Sequence, residues 1–259
     1  MTDKITSMRH AGRVNQCAIN LGFSHATPGV TLREIDEIME RYIIEAGCKP
    51  AFKNYQPDGY PFPFPATACI SPNDVVVHGV PGDYTLKDGD LLTIDVGSEC
   101  DGWFVDAARS RVIGTNKEAE KLVEATDAIL AAQLSVIKNN CSFLEIIDAA
   151  EQEARMRGVI VMPQWGGHYI GDKIHLPPFI PNVIDRNHSN LKQEVLEKHY
   201  RAQFLSTGDT ICLEPVATTG NNDTITDGDQ WTIRKTDKNL AAHTERCLLI
   251  TETGYELLS

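Results

Sequence analysis

Four carboxylates, Asp95, Asp106, Glu214 and Glu245, fall inside segments whose other residues read as buried β-strand, and this limits what the chain can become. Taking an ionised carboxylate out of water costs several kcal/mol unless it is paired or bound to a cation. These strands hold no equal supply of Lys or Arg, so metal ions are the expected counter-charge.

The acids recur in a pattern. Gly89-Asp90-Leu91-Leu92-Thr93-Ile94-Asp95 and Gly208-Asp209-Thr210-Ile211-Cys212-Leu213-Glu214 share one template: a Gly-Asp turn, a mostly apolar run, then an acid. A second strand follows each copy and carries the other acid. These are Trp103-Phe104-Val105-Asp106, after Cys100-Asp101-Gly102, and Thr244-Glu245-Arg246-Cys247-Leu248-Leu249-Ile250, after Lys238-Asn239. Two hairpins, each offering two carboxylates, predict a pseudo-twofold fold with a site where the halves meet. One Asp in a strand is usually an edge residue, but four in matched hairpins favour metal.

Around the hairpins, helix is expected over 7–22, ending near Gly22. A second helix should start at the capping box Thr31-Leu32-Arg33-Glu34 and stop at Gly47. Residues 50–65 are rich in Pro and aromatics, a stiff loop able to wall a pocket. Short strands over 67–71 and 75–78 precede the first carboxylate hairpin at 90–112. Helices then follow over 117–138 and from the box Ser142-Phe143-Leu144-Glu145 to about 157. Another helix, docked on the surface, is expected over 191–204, with Leu191, Val195, Leu196, Tyr200 and Phe204 on its apolar stripe. The class is α+β: a duplicated half-domain with a mostly antiparallel sheet covered by helices on one face, in a single domain spanning 1–259.

A formal charge of −12 argues against nucleic acid or an anionic membrane as partner. The N-terminus lacks an apolar signal core, and no stretch approaches the roughly 18 apolar residues of a membrane span, so a cytoplasmic monomer is expected. The seven cysteines are dispersed without a Cys-x-x-Cys. They suggest neither a disulfide framework nor a thiolate zinc site, and read as small buried hydrophobes.

Three of the eight histidines stand in suggestive contexts. His168 lies in Trp165-Gly166-Gly167-His168-Tyr169-Ile170-Gly171, His175 precedes Leu176-Pro177-Pro178, and His78 lies in Val75-Val76-Val77-His78-Gly79-Val80-Pro81. His10, His25, His188 and His199 read as ordinary residues of the surface or of helix ends.

The ordered set Asp95, Asp106, His168, His175, Glu214 and Glu245, with His78-Gly79-Val80-Pro81 upstream, resembles the type I methionine aminopeptidases of the pita-bread metallopeptidase superfamily. Cys69-Ile70-Ser71-Pro72-Asn73-Asp74, Asp101-Gly102-Trp103, Leu213-Glu214-Pro215 and Gln230-Trp231-Thr232 extend the resemblance over nearly the whole chain. It implies a pita-bread fold in which Asp95, Asp106, His168, Glu214 and Glu245 hold two divalent ions, two of the carboxylates bridging them. An oxygen-rich shell with one imidazole suits Co, Mn, Fe or catalytic Zn.

The implied reaction is hydrolysis of the first peptide bond, releasing methionine from peptides and nascent chains, with the ribosome as a transient partner. Glu214 would accept the proton of the attacking water, His175 would face the oxyanion, and His78 the scissile amide nitrogen. Phe64, Cys69 and Trp231 would line the methionine pocket, with Ile174 beside them. Another N-terminal or Xaa-Pro specificity, or a non-catalytic binding role on this fold, stays open as an alternative. The chain also departs from the family around the site. Leu176-Pro177 stands where Glu is usual, Arg246 where His is usual, His243 where Gln is usual, and Gly97 where Thr is common.

Overall fold

A computed structural model of the chain describes residues 3–185 and 191–259; His188 lies outside them. The first half contains helices α1 (Lys4–His25) and α2 (Leu32–Glu45) and strands β1 (Lys49–Pro50), β2 (Ala68–Pro72), β3 (Val75–Val77), β4 (Leu91–Cys100) and β5 (Trp103–Val112). β4 is the centre of this half. It pairs antiparallel with β1, β2 and β5, and Asp95 lies opposite both Cys69 and Ala108.

The second half begins with α3 (Lys117–Val136), α4 (Phe143–Arg157), β6 (Ile160–Val161), β7 (Gly166–Tyr169), β8 (Leu176–Pro181) and α5 (Gln193–Arg201). It closes with β9 (Thr210–Leu213), β10 (Val216–Thr218), β11 (Thr224–Thr226), β12 (Ile233–Lys235), β13 (Ala241–His243), β14 (Arg246–Ile250) and β15 (Tyr255–Leu257). Three sheets result, in the orders β15-β14-β9-β7-β8, β13-β10-β6 and β11-β12-β3. All strand pairs among the described residues are antiparallel. β8, with Pro177, Pro178 and Pro181, is an edge strand, where missing backbone donors do least harm.

The repeated Gly-Asp template folds into two matched turns. Gly89 and Gly208 take φ of 89° and 95°, a left-handed conformation that glycine adopts without steric penalty. Asp90 Oδ2 accepts from Lys87 N at 2.9 Å and Tyr84 Oη at 3.0 Å. Asp209 Oδ2 accepts from Ser206 N at 2.8 Å and Tyr169 Oη at 3.0 Å. Each turn also closes its strand pair, Gly89 N onto Ile113 O and Gly208 N onto Ile250 O.

The second acid pair departs from a simple hairpin. β9 pairs with β14, and β10 pairs with β13, but the two ladders break at Glu214-Pro215 and Thr244-Glu245. Pro215 has no N–H to offer a ladder, so both glutamates fall where pairing lapses.

Each helix pair packs chiefly on its own half, with α3 also touching β5. α1 lies on β4 and β5, and Asn15 Nδ2 donates to Val96 O at 2.6 Å. α2 lies on β2, where buried Asp36 accepts from Thr67 N at 3.1 Å and Ala68 N at 2.8 Å. α3 and α4 pack together, with Leu122, Ile129 and Ala150 joining Val161, Ala217 and Ala242 in one apolar cluster. Both expected capping boxes form, Thr31 with Glu34 and Ser142 with Glu145. α1 continues past Gly22, which lies on its buried face.

Two further expectations change. Cys48 and Cys100 form a disulfide, contrary to the reading of the cysteines as unpaired hydrophobes. The reason is register: Lys49 pairs with Glu99, so Cys48 and Cys100 face each other one step further out, their Cα atoms 4.7 Å apart. Cys17 is exposed, whereas Cys69, Cys141, Cys212 and Cys247 are buried as expected. α5 is shorter than 191–204, and only part of its stripe is covered. Leu196 and Tyr200 pack against Leu144, Ile147 and Ile184, while Leu191, Val195 and Phe204 are exposed.

Candidate metal centre and active site

The two halves meet at the acids. Glu245 N donates to Ala108 O at 2.9 Å, tying the start of β14 to β5. Ser110 Oγ bonds Thr93 Oγ1 at 2.7 Å and donates to His243 O at 2.8 Å, tying β4 and β5 to β13. Glu214 is anchored through its backbone: Asn182 Nδ2 donates to its carbonyl at 3.0 Å, and Gln133 Nε2 holds Asn182 Oδ1 at 2.9 Å. His168 reaches the same point from β7 because Gly167 lets the strand press against β9; a Cβ there would stand 2.2 Å from Cys212 O.

The structure brings the acids together. Donor atoms of Asp95, Asp106 and Glu245 lie within 4.8 Å of one another, as do those of Asp106, His168 and His175. His168 Nε2 is 3.6 Å from Glu214 Oε1 and 3.8 Å from Glu245 Oε1. Atoms bound to one ion at about 2.0–2.2 Å stand no more than about 4.4 Å apart, so the His168–Glu214 and His168–Glu245 spacings suit shared coordination.

Three observations show that the donor set fits divalent metal. His168 Nδ1 is 3.0 Å from Tyr169 O and so carries the proton, which leaves the Nε2 lone pair facing two carboxylates. That arrangement is repulsive unless a cation lies between them. Asp95 Oδ1 and Glu245 Oε1 are buried without a hydrogen-bond partner among the described residues. Without a cation, burial and mutual repulsion push Asp95, Glu214 and Glu245 far above the usual carboxylate range, and burial raises Asp106 to about 7.

A cavity of about 270 Å³ opens beside the cluster. Phe64, Cys69 and Trp231 line it, together with His78 and His175. Phe64 and Trp231 meet edge to face at 5.2 Å. Ile174 is instead buried behind the wall. A Cβ on Gly97 would stand 2.8 Å from Ile174 Cδ1 and 2.9 Å from Ala51 Cβ, so this position has no room for a side chain.

His78 directly follows β3 with φ of 56°, an uncommon conformation for a non-glycine residue, and its Nδ1 is buried without a partner among the described residues. His175 stands at the mouth, with Nδ1 2.9 Å from Tyr55 Oη. Burial lowers His78 and His168 to about 4 and His175 to about 3, so all three imidazoles are neutral near pH 7.

The sequence alone does not single out several residues of the site. Tyr55 and Tyr60 belong to the Pro- and aromatic-rich loop, whose ability to wall a pocket was legible although its individual contacts were not. Tyr60 stacks on Trp231 with centroids 4.2 Å apart, and Trp231 Nε1 donates to Phe62 O at 3.2 Å. Cys212 has its sulfur grouped with His168 and Glu245. Its position two residues before Glu214 was the available signal, because alternate strand residues share a face. Of the family departures, Arg246 Nη1 turns to the Glu245 carbonyl at 2.8 Å, and Leu176 lines a second cavity with Trp165 and Phe179. His243 lines the main cavity.

Comparison with known proteins shows the family. Metallopeptidase family M24 matches residues 6–252. The methionine aminopeptidase of Aquifex aeolicus is 33% identical over 258 residues, covering 99% of this chain and 96% of the relative. The crystal structure of the methionine aminopeptidase from Thermotoga maritima superposes with a TM-score of 0.87 at 27% identity, covering 100% of this chain and 97% of that one. Prolidase from Pyrococcus furiosus shares the fold, with a TM-score of 0.71 at 20% identity, and this chain covers 64% of it. The fold is therefore the pita-bread fold, and the chain belongs to metallopeptidase family M24, alongside the methionine aminopeptidases.

Proposed function

We propose that the chain releases methionine from the free N-termini of peptides and nascent proteins, using two divalent ions held by Asp95, Asp106, His168, Glu214 and Glu245. The observation that carries this reading is the buried acid cluster with the His168 lone pair turned into it, set beside an aromatic pocket. When bound, such ions supply Lewis acidity that polarises the scissile carbonyl and makes water nucleophilic near neutral pH.

The chain's own residues supply the rest. Glu214 accepts the proton of the attacking water. His175 Nδ1 lies 2.9 Å from Tyr55 Oη, and with Tyr55 as donor the imidazole carries its proton on Nε2 and offers it to the developing oxyanion. His78, held neutral by burial, faces the scissile amide. Phe64, Cys69 and Trp231 enclose the methionine side chain, a soft unbranched group suited to aromatic walls. Tyr60 backs Trp231 by stacking, so the loop over 50–65 shapes the pocket from outside.

Digestion of Met-Ala-Ser, N-acetyl-Met-Ala-Ser and an Ala-Pro dipeptide, with free amino acids quantified, tests this reading. Methionine should appear from the first substrate alone; selective cleavage of Ala-Pro would move the chain to a proline-directed role. In the same assay Tyr60→Ala is expected to raise KM for Met-Ala-Ser by about two- to tenfold, the worth of one aromatic pair. An unchanged KM would remove Tyr60 from the pocket.

A further inference from the structure

His243 has no part in the reaction described above, yet its side chain is only 3% exposed and faces the cavity. Its backbone cannot drift: Ser110 Oγ accepts from His243 N at 3.0 Å and donates to His243 O at 2.8 Å. Among the described residues, its Nε2 is buried with no hydrogen-bond partner. Leaving such a group unsatisfied costs about 1–3 kcal/mol. Glu214 Oε2 lies 3.7 Å from His243 Nε2. The other oxygen of that carboxylate, Oε1, lies 3.6 Å from His168 Nε2. Glu214 is therefore flanked by two imidazoles, one at each oxygen.

The flanking imidazoles differ in what they offer. His168 presents a lone pair, because its proton is engaged by Tyr169 O. An N–H on His243 would complement Oε2, leave Oε1 on the His168 side and give the buried His243 Nε2 a partner. We propose that His243 is a positioning residue for Glu214, its Nε2–H donating to Oε2 so that Oε1 stays turned toward His168 and the metal cluster. The proposal rests on the reading of Glu214 as ligand and proton acceptor. It gives this chain's departure at position 243 a task that a glutamine amide could also perform.

The test compares His243→Leu, His243→Asn and His243→Gln in protein reconstituted with cobalt(II), read by bound cobalt, visible absorption and steady-state kinetics on Met-Ala-Ser. Leu removes the donor, Asn keeps an amide too short to reach Oε2, and Gln keeps one of adequate length. Leu and Asn should keep their cobalt and shift its absorption bands. In both, kcat should fall about 10–100-fold with KM changed less than about threefold, the range seen when outer-shell partners are lost. Gln should restore kcat to within about threefold of the parent. The Asn variant carries the comparison if Leu does not fold.

Parent-like spectra and kcat in Leu or Asn would overturn the proposal, as would a Gln variant damaged as badly as Leu. Complete loss of cobalt in Asn would overturn it too, since His243 would then hold the ion itself. The absorption measurement involves no peptide. A parent protein that released no methionine would therefore count against the proposed function, whereas an unmoved spectrum counts against the role of His243.

Discussion

Asp106→Asn is expected to abolish metal binding and peptidase activity while making the metal-free chain more stable at pH 8. Asp106 lies at the centre of the cluster, buried beside Asp95, and its charge is a principal repulsive influence on Asp95, Glu214 and Glu245. Burial raises it from 3.8 to about 7. An acid whose pKa is raised by folding stabilises the fold fully below its unfolded value, and that contribution is lost as pH rises through the folded value. The metal-free parent should therefore lose stability between about pH 4 and pH 7, by up to about 4 kcal/mol from this group alone. Asn removes the charge and flattens that slope, at the cost of a ligand. Thermal melts of metal-free parent and variant between pH 5 and 8, with metal content measured on reconstituted samples, check both halves. A variant that melts lower at pH 8 and still binds its metal would contradict the electrostatic account.

His175→Ala should behave in the opposite way, keeping the metal and losing turnover. A donor aimed at a developing oxyanion contributes about 3 kcal/mol, so kcat should fall by two to three powers of ten. The imidazole is held by Tyr55 and meets His168 edge to face at 4.6 Å, so its removal alters the mouth more than the acid cluster. Tyr55→Phe leaves the ring and removes only the hydrogen bond, and should lower kcat in the same direction by less. His175 shares a donor group with Asp106 and His168, which makes metal content the deciding readout. Loss of metal from His175→Ala would reassign His175 as a ligand.

The acid cluster was legible because its causes are local. A Gly-Asp turn leading into an apolar strand that ends in an acid is a short pattern, and both copies fold alike down to the Asp carboxylate accepting from the residue three before it. The capping boxes are local in the same sense. What stayed hidden depends on partners distant in sequence. The Cys48–Cys100 disulfide spans 52 residues and follows only from the register of β1 on β4. Tyr55 and His175 meet across the pocket mouth, and the stacking of Tyr60 on Trp231 joins two loops. The break at Pro215 was present in the sequence, but its consequence, two glutamates released from their ladders, needed β10 and β13 in place. The short strands β6, β11 and β12 carry too few residues to show a period of two.

The central claim is that buried acids and one imidazole hold two ions which the reaction requires. The most direct test strips the protein of metal, adds manganese(II) stepwise under reducing conditions, and follows bound metal and methionine release from Met-Ala-Ser in the same samples. Binding should saturate at two ions per chain, with activity absent from the stripped protein and restored as the sites fill. Full release of methionine by the metal-free chain, or no bound ion and no release at saturating manganese, iron, cobalt and zinc, would contradict the account.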